Sequence, residues 1–497
     1  MAQLLRHGMD RPGDVALVCG PHRMTWGALR HDVLAAAAAI RARCGDAPGR
    51  VALLGASGLP LVTGYLAVIA AGGCAVPLPV SAHPDALAGM IANCAPSLIL
   101  ADTAYAGLLA PELAARTVLL DATALQLPAV LRGHPPENAP QPVDPDADFN
   151  IIYSSGTTGQ PKGIVHSHAM RQRQATRGLF GLDAGSTMLL ATPLYSNTTL
   201  MPLLATLYHG GRVILMAKFD AAGYLDLAEA ERASHTMLVP VQYQRLLAVP
   251  GFDTRDLSGF KVKQCTGAPL SAALKRGIAA RWPGKFYEIY GLTEGGCTCI
   301  LDAAAHPDKA HTVGRPAPGN EIRVIDENGA DVPPGQPGEI VGRSEMMMSG
   351  YFRNPEATQG FYWRDAAGVL FHRTGDIGRF DEDGFLILLD RKKDVIISGG
   401  FNIYASDIEE KLLEHPAVAE VAVIAVPSAR WGETPLALVV PHPGPAPDPA
   451  ALMVWVNARL GRMQHVSAVV LRTSLPRNTL GKVTKAELRN AYREERP

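Results

Sequence analysis

Charge of one sign is what this 497-residue sequence most clearly lacks. Lys and Arg number 46 against 47 Asp and Glu, a formal net charge of -1, with no basic or acidic block. That balance argues against nucleic acid or an anionic membrane as the main partner. Cysteine is sparse and odd in number, seven in all. Cys297 and Cys299 form the one close pair, and a single intervening residue suits neither a zinc knuckle nor a redox motif. Scattered thiols of this kind read as reduced and structural, and the expected compartment is the cytoplasm. The N-terminus, MAQLLRHGMDRPGD, is charged early and has no apolar signal core. Internal repeats and low-complexity tracts are missing as well.

One long uncharged run stands out, Val51 to Val80. Its length alone would suit a membrane span. Gly55, Gly58, Pro60, Gly64, Gly72 and Gly73 break it, however, into VALLG, LPLVTGYLAVIAA and CAVPL. These predict a strand, a packed helix and a second strand, a βαβ unit whose strands are apolar throughout because both faces are covered. No membrane span is expected.

The alternation continues. SLILAD, TVLLD, FNIIYSS, TMLLATP, RVILM and TMLVP read as short strands between Ala- and Leu-rich helical stretches. The fold class is therefore α/β with layered, mostly parallel sheets, and the length calls for more than one domain. After Gly319 the texture changes. EIRVIDENGADVPPGQPGEIVGRS predicts β-hairpins cornered at Asn328-Gly329 and the Pro-Gly pairs, a β-rich subdomain. Beyond the charged strip Asp390 to Asp394, DIEEKLLEHP is a helix ended by Pro416, VAEVAVIAVP a strand, residues 441–450 a Pro-rich loop, and AELRNAYREERP a charged helix.

The strongest chemical signal is Tyr153-Ser-Ser-Gly-Thr-Thr-Gly-Gln-Pro-Lys162-Gly163, directly after the strand FNII. Its Gly and Thr residues can offer backbone N–H groups and hydroxyls to phosphate oxygens, and Lys162 adds a cation. A Walker A loop is excluded, because Gly163 stands where Ser or Thr would hold Mg²⁺. His166 and His168 follow on an expected helix and read as structural. Four further strings come in order. Tyr290-Gly-Leu-Thr293-Glu294 offers a ring, a hydroxyl and a carboxylate suited to base stacking, phosphate contact and Mg²⁺. Thr374-Gly375-Asp376 is expected to place a carboxylate on a tight turn. Leu389 to Gly400 carries Arg391 and a glycine pair, and Pro476 to Lys482 ends on a lysine.

Together and in this order these strings resemble the acyl-adenylate-forming superfamily of acyl-CoA synthetases, peptide-synthetase adenylation domains and beetle luciferases, over about residues 10 to 495. The resemblance implies a large N-terminal domain (1–391), a small mobile α+β C-terminal domain (394–497), and a hinge near Lys393. It also implies ATP, Mg²⁺ and coenzyme A as reactants and cofactor. Ser154, Ser155, Gly156, Thr157, Thr158, Gly159 and Lys162 would bind the pyrophosphate end of ATP. Gly267, Ala268, Pro269 and Glu288, Ile289, Tyr290, Gly291 would flank the adenine. Thr293 would touch the α-phosphate, Glu294 would hold Mg²⁺, Asp376 would take the ribose hydroxyls, and Arg391 would lie beside the nucleotide. Lys482 would bridge the substrate carboxylate and the α-phosphate, while Gly399, Gly400 and Phe401 would line the CoA tunnel. The implied reaction is acid + ATP + CoA to acyl-CoA + AMP + pyrophosphate, through an acyl-AMP.

Ligases of this family often carry a Pro-Leu-Phe-His box with a downstream Gly. Here it reads Pro193-Leu-Tyr195-Ser196-Asn197-Thr198-Thr199, with Ser196 in place of His and Thr199 in place of Gly. Tyr195 to Thr199 make a narrower and more polar acyl pocket, with Tyr243 and Gln242 as further lining. A small, polar or hydroxylated short-chain acid fits that better than a long fatty acid. Aromatic or medium-chain acids, and a carrier protein as acceptor instead of CoA, are the alternatives. The oligomeric state stays open, a homodimer included.

Overall fold

The computed structural model describes residues 1–154, 162–477 and 481–495. Among them the strands form four sheets, of nine, seven, five and five strands, with helices packed between and around them. The two larger sheets are mostly parallel, the α/β arrangement that the alternating apolar runs predict. The uncharged run becomes strand Arg50–Leu54, helix Leu59–Ala70 and strand Cys74–Leu78, with the two strands parallel. Every residue of that helix is buried. It shares a core with the alanine-rich helix Trp26–Cys44, whose small side chains let the two pack closely. Among the described residues no helix is long and apolar enough to cross a membrane. None of the seven cysteines is in a disulfide.

Strand order in the nine-stranded sheet decides where a site can form. Six strands run parallel in the order Lys285–Gly291, Val262–Cys265, His235–Leu238, Thr187–Leu190, Arg212–Leu215, Val15–Cys19. From Thr187–Leu190 the chain winds first to one neighbour, Arg212–Leu215, and then crosses to the other, His235–Leu238. Such a reversal opens a crevice at the C-terminal strand ends, where α/β sheets bind ligands. The segments leaving those ends are 191–196, 266–269 and 292–294, which hold Tyr195, Ser196, Gly267, Ala268, Pro269, Thr293 and Glu294.

In the seven-stranded sheet, strand Lys162–Ser167 runs back antiparallel to Asp148–Ser154, with Gly350–Tyr351 paired on its outer edge. The helix expected directly after the phosphate loop is therefore a strand first. Ile164 and Val165 pair with Ile152 and Ile151, and bury their side chains there. The helix begins only at His168, where the Ser167 hydroxyl accepts from Met170 N at 3.2 Å.

Asn320–Ile325 and Gly338–Ser344 pair as the predicted hairpin of the β-rich region. Thr374-Gly375-Asp376 is not a tight turn. It lies inside the eleven-residue strand Leu370–Phe380, at a β-bulge that Gly375 permits with φ +69°. A 3₁₀ turn, Lys392–Asp394, leads into the last sheet, which is built from residues after Val395 and carries helices Ala405–Leu413, Pro449–Asn457 and Lys485–Glu495.

Gly295 follows Glu294 with φ +70°, and a Cβ there would run into the Met346 carbonyl. Gly295→Ala should lower the unfolding free energy by about 1–3 kcal/mol in a denaturant titration. A change within about 0.5 kcal/mol, the range of ordinary surface substitutions, would contradict this reading of the turn.

Candidate active site

Four charged or phenolic groups meet where the nine-stranded sheet approaches the β-rich one. Asp376 is 7% exposed. Its Oδ2 accepts from the Tyr290 hydroxyl at 2.8 Å, and its Oδ1 lies 2.6 Å from Arg391 Nε. Asp376 and Arg391 are cross-strand partners, so the pairing is set by register. The bulge is pinned by Thr374, whose hydroxyl donates to Ile340 O and accepts from Asp376 N. Burial, and then the neighbouring Asp376 charge, push the Tyr290 phenol well above its ordinary pKa, so it stays a donor. Lys482 belongs to the same cluster. Burial and the Arg391 charge lower its pKa, while Asp376 and Asp394 oppose the shift. Gly481, just before it, lies against Val241 of helix Pro240–Leu247.

A second group forms around Glu294. Its Oε1 accepts from the Tyr351 hydroxyl at 2.8 Å, and Lys162 Nζ stands 5.2 Å from the centroid of the Tyr351 ring. Tyr351 thus brings together a lysine and a carboxylate from distant segments. Its motif, Ser349-Gly-Tyr351-Phe352, has no feature in the sequence that points to either partner. His166 is fully buried, and its Nε2 pairs with Thr293 O at 2.7 Å. His168 packs edge-on against Phe149. Both histidines thus serve the scaffold, and His166 also holds the backbone of a candidate phosphate contact. Ser154 ends its strand half-buried, while Ser155, Gly156, Thr157, Thr158 and Gly159 lie outside the described residues.

The strand ends supply the rest. Gly267 and Pro269 are exposed on the crevice rim, Ala268 is half-buried, and a Cβ on Gly267 would lie 3.9 Å from Thr198 Oγ1. Glu288 is different. Its carboxylate is buried and ion-paired with Lys275, which also donates to Thr312 O at 2.7 Å. Burial raises Glu288 to about 7 against the opposing pull of Lys275, so this carboxyl is engaged inside the core. Ile289 is buried as well, and Gly291 is exposed.

The acyl candidates divide in the same way. Tyr243, expected in the pocket, is 0% exposed, packs against Trp282 and Phe286, and donates to Gln264 O at 2.9 Å. Gln242 accepts from Val239 N and donates to Ala191 O. Both are therefore core and cap residues, because their polar ends have backbone partners close by. Thr199 is buried, bonded to Thr192 Oγ1 and Pro193 O, and Ser196 caps helix Asn197–Tyr208. Tyr195 reaches Ser81 at 3.2 Å. Thr198 is buried, and half-buried Asn197 remains at the rim, accepting from Arg171 at 2.8 Å.

Gly399 and Gly400 form the turn between strands Ile396–Ser398 and Phe401–Ile403, with the Phe401 side chain 59% exposed. Asp394 is paired with Arg489 at 2.5 Å, and Ala405 N donates to Asp390 Oδ2 at 2.8 Å. Lys393 lies between these contacts.

Comparison with known proteins shows the family. The AMP-binding enzyme family matches residues 4–352, and the AMP-binding enzyme C-terminal domain matches residues 407–482. A feruloyl-CoA synthase of Amycolatopsis sp is 34% identical over 498 residues, covering 98% of each chain. An indoleacetate–CoA ligase of Aromatoleum aromaticum is 32% identical, covering 97% of this chain and 96% of its own. Among solved structures, ATP-bound MatB from Rhodopseudomonas palustris superimposes with a TM-score of 0.89 at 29% identity, over 100% of both chains.

Removing Lys275 should leave Glu288 buried without its cation. Lys275→Met is expected to cost about 3–5 kcal/mol of stability at pH 8. The loss should shrink towards pH 5. Unfolded Glu288 releases its proton near 4.5, whereas the folded form holds it to a higher pH, so the penalty grows as pH rises through that window. Equal losses at both pH values, from thermal or urea melts, would contradict the assignment.

Proposed function

Since the chain belongs to the AMP-binding enzymes, in their acyl-CoA synthetase branch, and is an AMP-forming acid–thiol ligase, we propose that its acid is short and polar or hydroxylated and that its thiol is coenzyme A. The observation that carries the site assignment is the convergence of Lys482, Arg391, Asp376 and Tyr290 beside the crevice. In the first half-reaction a carboxylate oxygen of the acid attacks the α-phosphorus of ATP. That O–P bond forms as the bond to the β-phosphate oxygen breaks, and pyrophosphate leaves with the electron pair. Both reactants are anions, so the step needs fixed positive charge at the α-phosphate. Lys482 supplies it there and Lys162 supplies it at the leaving group. Asp376 takes the ribose hydroxyls, giving up part of its present bonding to Tyr290.

Glu294 fits Mg²⁺. It is a half-exposed hard oxygen ligand held in place by Tyr351, and Mg²⁺ usually takes one or two carboxylates together with substrate phosphates. When bound, the ion would offset charge on the phosphates.

In the second half-reaction the CoA sulfur attacks the acyl carbon, the thiol gives up its proton, and AMP leaves. This calls for Lys482 to withdraw. The C-terminal segment is proposed to turn about Lys393, breaking the Ala405–Asp390 contact and carrying the Asp394–Arg489 pair with it. Gly399, Gly400 and Phe401, exposed at their hairpin, would then line the thiol's approach, where glycine admits a narrow ligand.

For the acid, the polar residue of the Tyr195–Thr199 box still open at the rim is Asn197, since Thr198 is buried and Tyr195, Ser196, Thr199 and Tyr243 have protein partners. A second reading, an aromatic acid, is favoured by the full-length similarity to enzymes named for ferulate and indoleacetate. Mass spectrometry of reactions with ATP, Mg²⁺, CoA and short, branched, hydroxylated, aromatic and medium-chain acids decides between them. The proposed reading expects acyl-CoA to accumulate first with short polar acids. Turnover confined to aromatic acids would overturn it in favour of the second. Acyl-adenylate without acyl-CoA would move the acceptor to a carrier protein.

A further inference from the structure

A guanidinium buried without any anion lies behind the acyl rim. Arg171, in helix His168–Thr176, is 2% exposed. Its Nε donates to Asn150 Oδ1 at 2.8 Å, and its Nη1 to Gln174 Oε1 at 2.6 Å and Asn197 Oδ1 at 2.8 Å. Its Nη2 donates to His166 Nδ1 at 2.9 Å. Four of its five N–H donors are thus used, and every acceptor is neutral. Among the described residues no carboxylate pairs with it. Burial lowers its pKa only to about 10, so the charge persists at neutral pH.

The network fixes orientations at both ends. At one end His166 Nδ1 accepts from Arg171 and Asn150, which places the ring proton on Nε2, where it donates to Thr293 O. Burial and the Arg171 charge hold His166 neutral. At the other end Arg171 claims the side-chain oxygen of Asn197. An amide has one acceptor atom and one NH₂, so holding the oxygen leaves the NH₂ as the group Asn197 can still offer. Asn197 is only half-buried and starts the helix that leaves the switch-point crevice. It therefore turns its two N–H donors away from Arg171, keeps its oxygen on the guanidinium, and has a positive charge behind it.

Resting on the reading of this rim as the acyl side, we propose that Arg171 is a positioning residue for acid selection. It locks Asn197 with its NH₂ towards the acyl group, so the favoured acid carries an oxygen acceptor in its tail, a carboxylate or a carbonyl. An acid with hydrocarbon at that place leaves the NH₂ unpaired on entering the site, and such a site discriminates against it. Arg171 does not touch the acid itself. It acts by denying Asn197 the flipped orientation, in which the amide oxygen would face the substrate.

The test needs no turnover. Two short acyl-sulfamoyladenosines of equal length are compared by calorimetry, one with a keto or carboxylate group in the tail and one with methyl in its place. Wild type should bind the first at least about tenfold tighter, since sites built to pair a polar group discriminate strongly. Asn197→Asp keeps the side-chain size, gives Arg171 an ion-pair partner, and replaces the donor by an acceptor. Its melting temperature should hold or rise while the preference disappears or inverts. Arg171→Met should move the ratio towards one, as the amide is freed to turn. If Arg171→Met fails to fold, Asn197→Asp still decides. A role for Arg171 in stability alone would lower the melting temperature of its variant and leave the ratio unmoved, which overturns the proposal. So does the same ratio in wild type and Asn197→Asp, or no preference in wild type. Wild type that binds with the expected ratio but forms no acyl-CoA from any acid would strike the ligase reading and leave this one standing.

Discussion

A buried carboxylate is stable only when its charge is matched, and Asp376 is the one whose matching organises this molecule. Tyr290 reaches it from the end of a parallel strand in the nine-stranded sheet, and Arg391 reaches it across an antiparallel pair in the β-rich sheet. One residue therefore joins two sheets and the strand that runs directly into the Lys392–Asp394 turn. The Lys482 ammonium lies within the influence of the same charges. These groups hold one another in place, as in the preorganised polar sites that lower a barrier by fixed charges and dipoles.

The rest of the site follows from strand order and from a few long-range bonds. The reversal of winding at Thr187–Leu190 opens the crevice, and the loops from neighbouring strand ends fill its rim. Tyr351 carries Lys162 and Glu294 to one place, and His166 carries the Thr293 backbone. These connectors are a phenol and an imidazole rather than acids, so each holds its partner without adding negative charge. Arg171 goes further, for among the described residues no carboxylate pairs with it and it keeps a positive charge in the protein interior beside Asn197.

Much of this was legible before any coordinates. Apolar runs broken by Gly and Pro marked the strands and helices, because both faces of a parallel sheet are covered and periodicity reduces to length and punctuation. The strings that mark the family were legible because each packs several chemistry-bearing residues into a few positions. What was not legible depended on register or on distance in sequence. The strand at Lys162–Ser167 looked like a helix start because the antiparallel partner that defines it cannot be seen locally. Thr374-Gly375-Asp376 resembled a turn because a glycine with positive φ serves bulges and turns alike. Glu288, Tyr243 and Gln242 stood where ligand contacts were expected, yet Lys275, the Gln264 carbonyl and the Val239 amide claimed their polar ends. No pattern linked Arg171 to Asn197 or Tyr351 to Glu294, since each pair meets only in the folded chain.

The proposed two-step mechanism requires Lys482 to act in one half-reaction and to leave for the other. The direct measurement is of both half-reactions in Lys482→Ala: acid-dependent pyrophosphate release from ATP, and acyl-CoA formation from a supplied acyl-adenylate. The first should fall by about 10²–10³-fold or more, as for loss of other positioned electrostatic donors, while the second stays close to wild type. An equal fall in both would mean that Lys482 holds the structure together rather than the α-phosphate, and the two-step assignment of the site would fail with it.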